Sequence, residues 1–538
     1  MGGVALVFPP HWYYASVPAD LLYTGSFLRA RGLAVRAHDL SAGLVHHHLE
    51  QNSGYQALRR EATYGDAGAY DRACAEVQRA FAAVSRRHGV VYSPYRLEHP
   101  DIDAGHVPTA LRVGLDPSRN PALHYLRNLA VPRILASEPS VIAVALVHPD
   151  QILQVPVLGR LLRKAGYRGF LALYGAHEDV IAPEDFAPDL EGEPVHAIFD
   201  DYDGAIIGEA ESALLALGEG RPLAEVPSLL APAHGLTSLP AARAEDLAAM
   251  PPPDYTLVED VYPFPAPMID LRLSRSCAWG RCTFCAITNH QSGYRTRPTS
   301  AVIADLTDAH RVLGTSFFRF RDDLLTPEQF RELGTILGEL PFRARWSARA
   351  RFEPGLTRET LAAAAAAGLE ELWLGLEAGT ARVRNLMVKG VAQRVVERIL
   401  VDAAEVGIRV RALCMLGYPG ETLAEARATI ELLEQHRAHV SSAALTPFML
   451  MRGTPLAREP ERFGLRLLPD ATPRHERLHF EVVAEYPGLD RKEILALMSD
   501  ASTRLAGWMA RDTQGPSLAH AWMRASRLLR RGLAEEEG

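Results

Sequence analysis

Three cysteines fall within nine positions of "SRSCAWGRCTFCAIT", residues 274–288: Cys277, Cys282 and Cys285. Thiolates are ligands for zinc and for iron-sulfur clusters, and the two-residue gap Thr283-Phe284 lets one loop offer adjacent thiolates to one centre. A cubane cluster has four irons, so three cysteines leave one iron without a protein ligand and open to a substrate. The rival chemistry is a structural zinc completed by a fourth ligand such as His290. Spacing fixes the ligands and not the metal, so the loop alone leaves both open. The other two cysteines, Cys74 and Cys414, stand alone, and five in 538 residues make no disulfide framework.

The loop follows a strand-like run, "MIDLRLS", that opens an α/β series. Further candidate strands are "SFFRFRD", "FRARWSA", "EELWLGL", "IRVRALCML" and "HVSSAALTPF", separated by helical stretches such as "TPEQFRELGTILGEL" and "VAQRVVERILVDAAEVG". Six strand-then-helix units about thirty residues apart predict a partial (β/α)6 barrel over 266–455. Chemistry in such a barrel sits on loops after the carboxyl ends of strands, and the cysteine loop follows the first strand. A structural zinc more often staples a small module, so this position favours the cluster.

Upstream, "VALVFPP", "AVRAHDL", "SVIAVALV", "FLALYGAH" and "GAIIGEAE" alternate with helical stretches and predict an open doubly wound, Rossmann-like sheet over residues 1–220. An insertion at about 41–130 interrupts it. "SAGLVHHHLEQ" and "AYDRACAEVQRAFAAVSRRHG" read as helices there, and "YSPYRLEHPDIDAGHVPTALRVGLDPSRNP" as irregular. Residues 221–265, rich in Pro and Ala, read as a linker, and 456–538 as a mostly helical remainder. The fold class is α/β.

A formal net charge of -8, from 65 acidic and 57 basic residues, gives no electrostatic pull toward nucleic acid. No apolar run approaches the roughly 18 residues of a membrane span. The amino terminus lacks the basic lead of a signal peptide, and the expected location is cytoplasmic. His46, His47 and His48 are consecutive in a helical stretch, which sends their rings in different directions, toward surface or partner contact rather than a common metal.

The cysteine loop and the segments after it resemble the radical S-adenosylmethionine (SAM) enzymes. Their usual signature spaces the cysteines three and two apart; here the first gap is four, Ala278 to Arg281, while Phe284 fits the aromatic before the last cysteine. "ELWLGLEAGTARVRNLMVKG" resembles the fourth-strand segment whose glutamate, here Glu377, reaches the ribose of SAM. "WSARARFEP" resembles the third strand, with Ser347, Arg349 or Arg351 as contacts to the methionyl part, and "CMLGYPGET" the end of the fifth, with Gly417 in its turn. The first 220 residues resemble the cobalamin-binding domain that precedes the barrel in one subgroup of this family. That likeness implies a corrinoid site near Pro10, His11, Gly175, Ala176, His177, Gly208 and Glu209. The Asp-x-His-x-x-Gly motif of other cobalamin proteins is absent, and the usual Gly-Gly pair is Tyr174-Gly175. A sheet that only packs on the barrel is therefore the alternative.

The resemblance implies an enzyme that uses a 4Fe-4S cluster, SAM and cobalamin. A 5'-deoxyadenosyl radical would abstract hydrogen, and methylcobalamin would methylate an unactivated carbon of a peptide or natural product. An electron donor such as flavodoxin or ferredoxin is the implied partner. Radical rearrangement, cyclisation or oxidation is the alternative within enzymes, and a zinc-stapled binding protein the alternative from another class.

Overall fold

Two largely parallel sheets carry the chain, which the computed structural model describes over residues 3–12, 16–93, 96–176, 195–237, 244–289, 293–469, 472–478 and 481–505. In chain order the strands are β1 (Gly3–Phe8), β2 (Ser16–Val17), β3 (Val35–Asp39), β4 (Pro139–Ala145), β5 (Phe170–Ala176), β6 (Gly204–Ile207) and β7 (Leu229–Leu230). They continue with β8 (Met268–Leu271), β9 (Phe317–Phe320), β10 (Arg345–Ala350), β11 (Leu369–Glu377), β12 (Arg409–Leu416) and β13 (Ser442–Pro447).

The first sheet has the order β3-β1-β4-β5-β6-β7. It is parallel except for β7, which runs antiparallel on β6. Helices Ala19–Ala30, Gln154–Lys164 and Glu211–Gly218 cover its two faces. Burial on both faces explains why β1 and β4 read as unbroken apolar runs rather than alternating ones. β7 lies in the segment read as linker: the buried pair Leu229-Leu230 satisfies the outer edge of β6, a job too short to leave a sequence signal.

In the insertion, helices Leu40–Leu49 and Ala67–His88 form where the sequence predicts them. The run read as irregular instead contains the hairpin Val91–Ser93 with Arg96–Glu98 and helix Val107–Gly114. These elements are too brief for periodicity to show. Leu49, Tyr55, Val77 and Phe81 of the insertion join Phe264 and Met268 in the same apolar core as the second sheet. The three histidine rings diverge: His46 meets Tyr55, His47 stacks on His124 and His48 meets Tyr92.

The second sheet runs β13-β12-β11-β10-β9-β8, all parallel and in chain sequence, with β2 added outside β8. This is an open six-stranded barrel whose seventh strand comes from the amino-terminal segment. Alternation divides each strand between two environments. Phe318, Phe320, Trp346, Leu372, Leu374 and Val410 point outward into the apolar core under the surrounding helices. The lumen is charged. One layer places Asp270, Arg319, Ser347, Glu371 and Arg409 side by side in register. The next layer toward the carboxyl ends holds Arg349, Trp373 and Arg411. Arg319 grips Asp270 through both carboxylate oxygens at 2.9 Å and donates to the Ser16 hydroxyl of β2 at 2.6 Å.

The carboxyl ends of the two sheets face each other. Trp12, just after β1, lies 5.4 Å from the guanidinium of Arg321, just after β9. Arg275, after β8, pairs with Glu209 at 2.8 Å and Glu211 at 2.5 Å, both after β6. Arg272 pairs with Asp20 at 2.9 Å.

Candidate active site between the facing sheets

The cysteine loop is fixed at its start and in its middle. At its start the buried Asp322 carboxylate accepts from the Leu273 and Ser274 amides and from the Ser274 hydroxyl. Burial raises the pKa of Asp322 to about 6. In the middle, Thr283, between Cys282 and Cys285, is tied to three other segments. Its amide donates to the Met387 carbonyl at 3.1 Å, its carbonyl accepts from the Leu456 amide at 3.2 Å, and its hydroxyl meets that of Tyr418 at 2.7 Å. The Cys285 amide closes the turn onto the Cys282 carbonyl at 3.2 Å. Phe284 packs with Ala378, Met387, Tyr418 and Leu450 in a small apolar cluster. These bonds fix the backbone on either side of Cys282, while the three side chains are not gathered at single-ion distance among the described residues.

None of the three cysteines is in a disulfide, and all are half-buried. Burial pushes the Cys282 thiol up, Lys389 and Arg351 draw it down, and the net direction is upward. The two cations offset part of the cost of burial, and would do the same for the negative charge of a bound cluster. His290 and His177 lie outside the described residues.

Glu377 sits at the end of β11, where the register shifts between Gly375 and Glu377 and the glutamate takes a φ of 62°. The bulge turns its carboxylate back over the strand onto the Lys389 ammonium at 2.6 Å. Any Cβ at Gly375 would land 2.5 Å from that carboxylate and 2.7 Å from Lys389 Nζ, so glycine makes room for the pair. Lys389 is 7% exposed. Burial works against its charge, but Glu377 and Cys282 hold its pKa above the ordinary value.

Arg351, one residue past β10, stacks its guanidinium 3.8 Å from the Trp279 ring of the cysteine loop. It also donates to the Lys389 carbonyl and to Glu353. Trp279 donates through its indole N–H to the Val388 carbonyl at 3.0 Å. Gly390 has a φ of 64°, and a Cβ there would strike the Trp279 ring at 2.8 Å. Of the three third-strand possibilities, the structure brings Arg351 to the loop. Arg349 lies one layer deeper, against Trp373, and Ser347 deeper still, buried between Arg319 and Glu371.

Gly417 has a φ of 86° after β12, and the space its missing side chain leaves is filled by Ile494 of helix Arg491–Arg504. Its amide donates to the buried Glu421 carboxylate at 2.6 Å. Burial raises the Glu421 pKa to about 7.

Across the gap, the carboxyl edge of the first sheet is built differently. Gly175 and Gly208 both adopt positive φ, 69° and 79°, and keep the edge low; Ala176 ends β5, and its side chain lies outside the described set. Pro10 is buried, and Gln151 reaches the neighbouring Pro9 carbonyl at 3.0 Å. His11 is buried edge-on to Tyr92, its Nε2 has no hydrogen-bond partner among the described residues, and burial lowers its pKa to about 3. Glu209 is not available to a ligand: it is engaged by Arg275 and Arg295. Burial opposes its charge, yet those arginines hold its carboxyl below the usual range.

Several of these residues escape a reading of the sequence. Lys389 carried one signal: it is one of only three lysines in the chain. Trp279, Thr283, Arg275 and Trp12 carried none, because their roles come from contacts between distant segments.

Residues 271–433 match the Radical SAM superfamily. An uncharacterized methyltransferase of Pyrococcus horikoshii is 24% identical over 249 residues, 43% of this chain and 53% of its own length, so the match spans about half of that relative. Among solved structures, the radical S-adenosylmethionine methyltransferase TsrM from Kitasatospora setae, with cobalamin and a 4Fe-4S cluster bound, superposes over 100% of both chains with a TM-score of 0.63 at 13% identity. OxsB, a cobalamin-dependent S-adenosylmethionine radical enzyme, superposes on 93% of this chain and 66% of its own with a TM-score of 0.60 at 14% identity. At these identities the likeness is one of fold: a doubly wound sheet set against an open barrel. No helix among the described residues is long and apolar enough to cross a membrane.

Proposed function

We propose that this chain, whose residues 271–433 are a radical SAM domain, is a cobalamin-dependent radical SAM enzyme that methylates an unactivated carbon of a peptide or natural-product substrate. One observation carries the reading. A loop of three cysteines, none in a disulfide, is clamped beside the Glu377–Lys389 pair and Arg351, and it opens toward the carboxyl edge of a second, doubly wound sheet.

The donor set fits a 4Fe-4S cluster: three thiols on one loop, two buried cations beside them, and backbone that is already fixed. Cys277, Cys282 and Cys285 would hold it, and when bound it supplies one electron to the sulfonium of SAM. Glu377 presents a carboxylate for the ribose hydroxyls, oriented by Lys389. Arg351 presents a guanidinium, oriented by stacking on Trp279, for the carboxylate of the methionyl group. Thr283 and Tyr418 hold the loop against this set, and Phe284 and its apolar neighbours keep water from one side of it.

The first sheet fits a corrinoid in part. Gly175 and Gly208 permit the close backbone approach that a large planar ligand needs, and His11 is a buried ring nitrogen without a partner. Bound cobalamin supplies a transferable methyl group. Glu209 takes no part in holding it, because its charge is already used to join the sheet to the barrel. An electron donor such as flavodoxin or ferredoxin completes the system in the cytoplasm.

Anaerobic reconstitution tests the reading. The full chain should take up iron and sulfide, turn brown and cleave SAM under reduction, and corrinoid should co-purify or bind with its own visible bands. A colourless protein holding zinc and inert toward SAM would refute it.

A further inference from the structure

The barrel lumen is rich in arginine. Arg272, Arg319, Arg321, Arg349 and Arg411 surround the mouth below the cysteine loop. Arg319 uses both oxygens of Asp270, and Arg272 uses Asp20. Arg321 is then left with a contact of 3.7 Å to an Asp270 oxygen that Arg319 already holds. Among the described residues Arg349 makes no ion pair, and Asp323 and Asp270 act on it only from beyond pairing distance; its guanidinium lies 5.6 Å from the Trp373 ring, and Arg411 lies 4.8 Å from the same ring.

Arg321 and Arg349 are largely withdrawn from water. Burial, then Arg319 and Arg349, lower the Arg321 pKa to about 9, and burial likewise lowers that of Arg349. Desolvated, like-charged guanidinium groups destabilise the fold unless an anion joins them. Their surroundings also leave the right atoms available. A guanidinium facing an aromatic ring presents its flat side there and keeps its in-plane N–H donors for an oxyanion. Trp12 has the Arg321 guanidinium carbon over its ring at 5.4 Å, and its backbone is held by Ser41, which donates to its carbonyl at 2.9 Å and accepts from its amide at 2.8 Å.

We infer that the substrate bears an oxyanion, a carboxylate or a phosphate, which Arg321 and Arg349 bind in the lumen between Trp12 and Trp373. This rests on the proposed radical SAM function and adds the substrate's class to it. Arg349 lies two residues before Arg351 on the same face of the third barrel strand. An anion held there anchors the molecule one layer below the SAM-binding rim and leaves its other end to reach the gap between the sheets. A neutral or cationic substrate would leave the pair unrelieved.

The test uses the full chain prepared anaerobically, with inorganic phosphate and acetate as probes and acetamide as the uncharged control. Binding is read from broadening of the phosphate phosphorus and the acetate and acetamide methyl resonances, with and without saturating SAM. At least one anion should broaden, acetamide should stay sharp, and the effect should persist with SAM present. Arg321→Gln with Arg349→Gln should weaken the anion at least tenfold, while Arg321→Lys with Arg349→Lys should restore most of the binding. If the double glutamine variant fails to fold by circular dichroism, each single glutamine variant should still weaken binding severalfold. Phosphate alone broadening would identify a phosphorylated substrate, acetate alone a carboxylate, and both an oxyanion of either kind. Broadening of neither anion, equal broadening in wild type and glutamine variants, or displacement of the anion by SAM would overturn the inference. Reductive cleavage of SAM is recorded on the same wild-type sample. Cleavage without anion binding refutes the arginine pair alone, whereas anion binding without cleavage refutes the enzymatic reading instead.

Discussion

The two carboxyl edges that face each other are built from opposite materials. On the barrel side stand thiols, a buried Glu377–Lys389 pair and several arginines, each oriented by a named neighbour. On the doubly wound side stand glycines at positive φ, a proline and a buried histidine, and the one carboxylate that resembled a ligand, Glu209, is spent on the barrel's arginines. The contrast teaches a division of labour. Charged groups that must be aimed need partners and become part of a network, whereas a surface that receives a large planar molecule needs mainly the absence of side chains.

The hardest blow to this contrast is on the barrel side. Cys282→Ala should abolish cluster absorption and SAM cleavage together, while bound corrinoid, measured by its visible bands, should remain. Next, Glu377→Gln should lower SAM affinity about ten- to a hundredfold, the loss expected when a charged hydrogen bond worth about 1.5–3 kcal/mol is removed. Equilibrium binding to the reconstituted protein would show it.

On the other side, Gly175→Val should do the reverse, with corrinoid lost and the cluster retained. A Cβ at Gly175 would stand 2.8 Å from Val147 Cγ1, at a φ of 69° that side chains rarely adopt. If corrinoid and cluster vanish together in either variant, the division of labour fails. The seam between the sheets should respond more modestly. Arg275→Ala removes the partner of Glu211, which is 3% exposed, and should lower stability by about 1–3 kcal/mol in denaturant unfolding.

A further effect concerns pH. Burial raises the Glu421 pKa from its ordinary 4.5 to about 7. Between those values the folded chain binds more protons than the unfolded one, so this group makes stability fall as pH rises through the window and then level off. Glu421→Gln should flatten that slope in unfolding curves taken from pH 4.5 to 7.

Periodicity made the strands, the helices and the three thiols legible before any coordinates, since "VALVF" and "SVIAVALV" can be buried strands and Cys277, Cys282 and Cys285 share one loop. Choosing among Ser347, Arg349 and Arg351 required the register, because all three point into the same lumen at different depths. β2 was invisible for a plainer reason: two residues, Ser16 and Val17, find their partners about 250 positions later, at Met268 and Ile269. The same holds for Arg275 with Glu209 and Glu211. Each is an ordinary surface charge in the sequence and becomes a joint only when two sheets meet.

The central claim is that three thiolates leave one metal position for SAM. Mössbauer spectra of the iron-loaded full chain, recorded before and after adding SAM, test it most directly. The account predicts a 4Fe-4S signal in which one iron of the four changes its parameters when SAM binds. A spectrum without such a cluster, or one whose four irons ignore SAM, would contradict it.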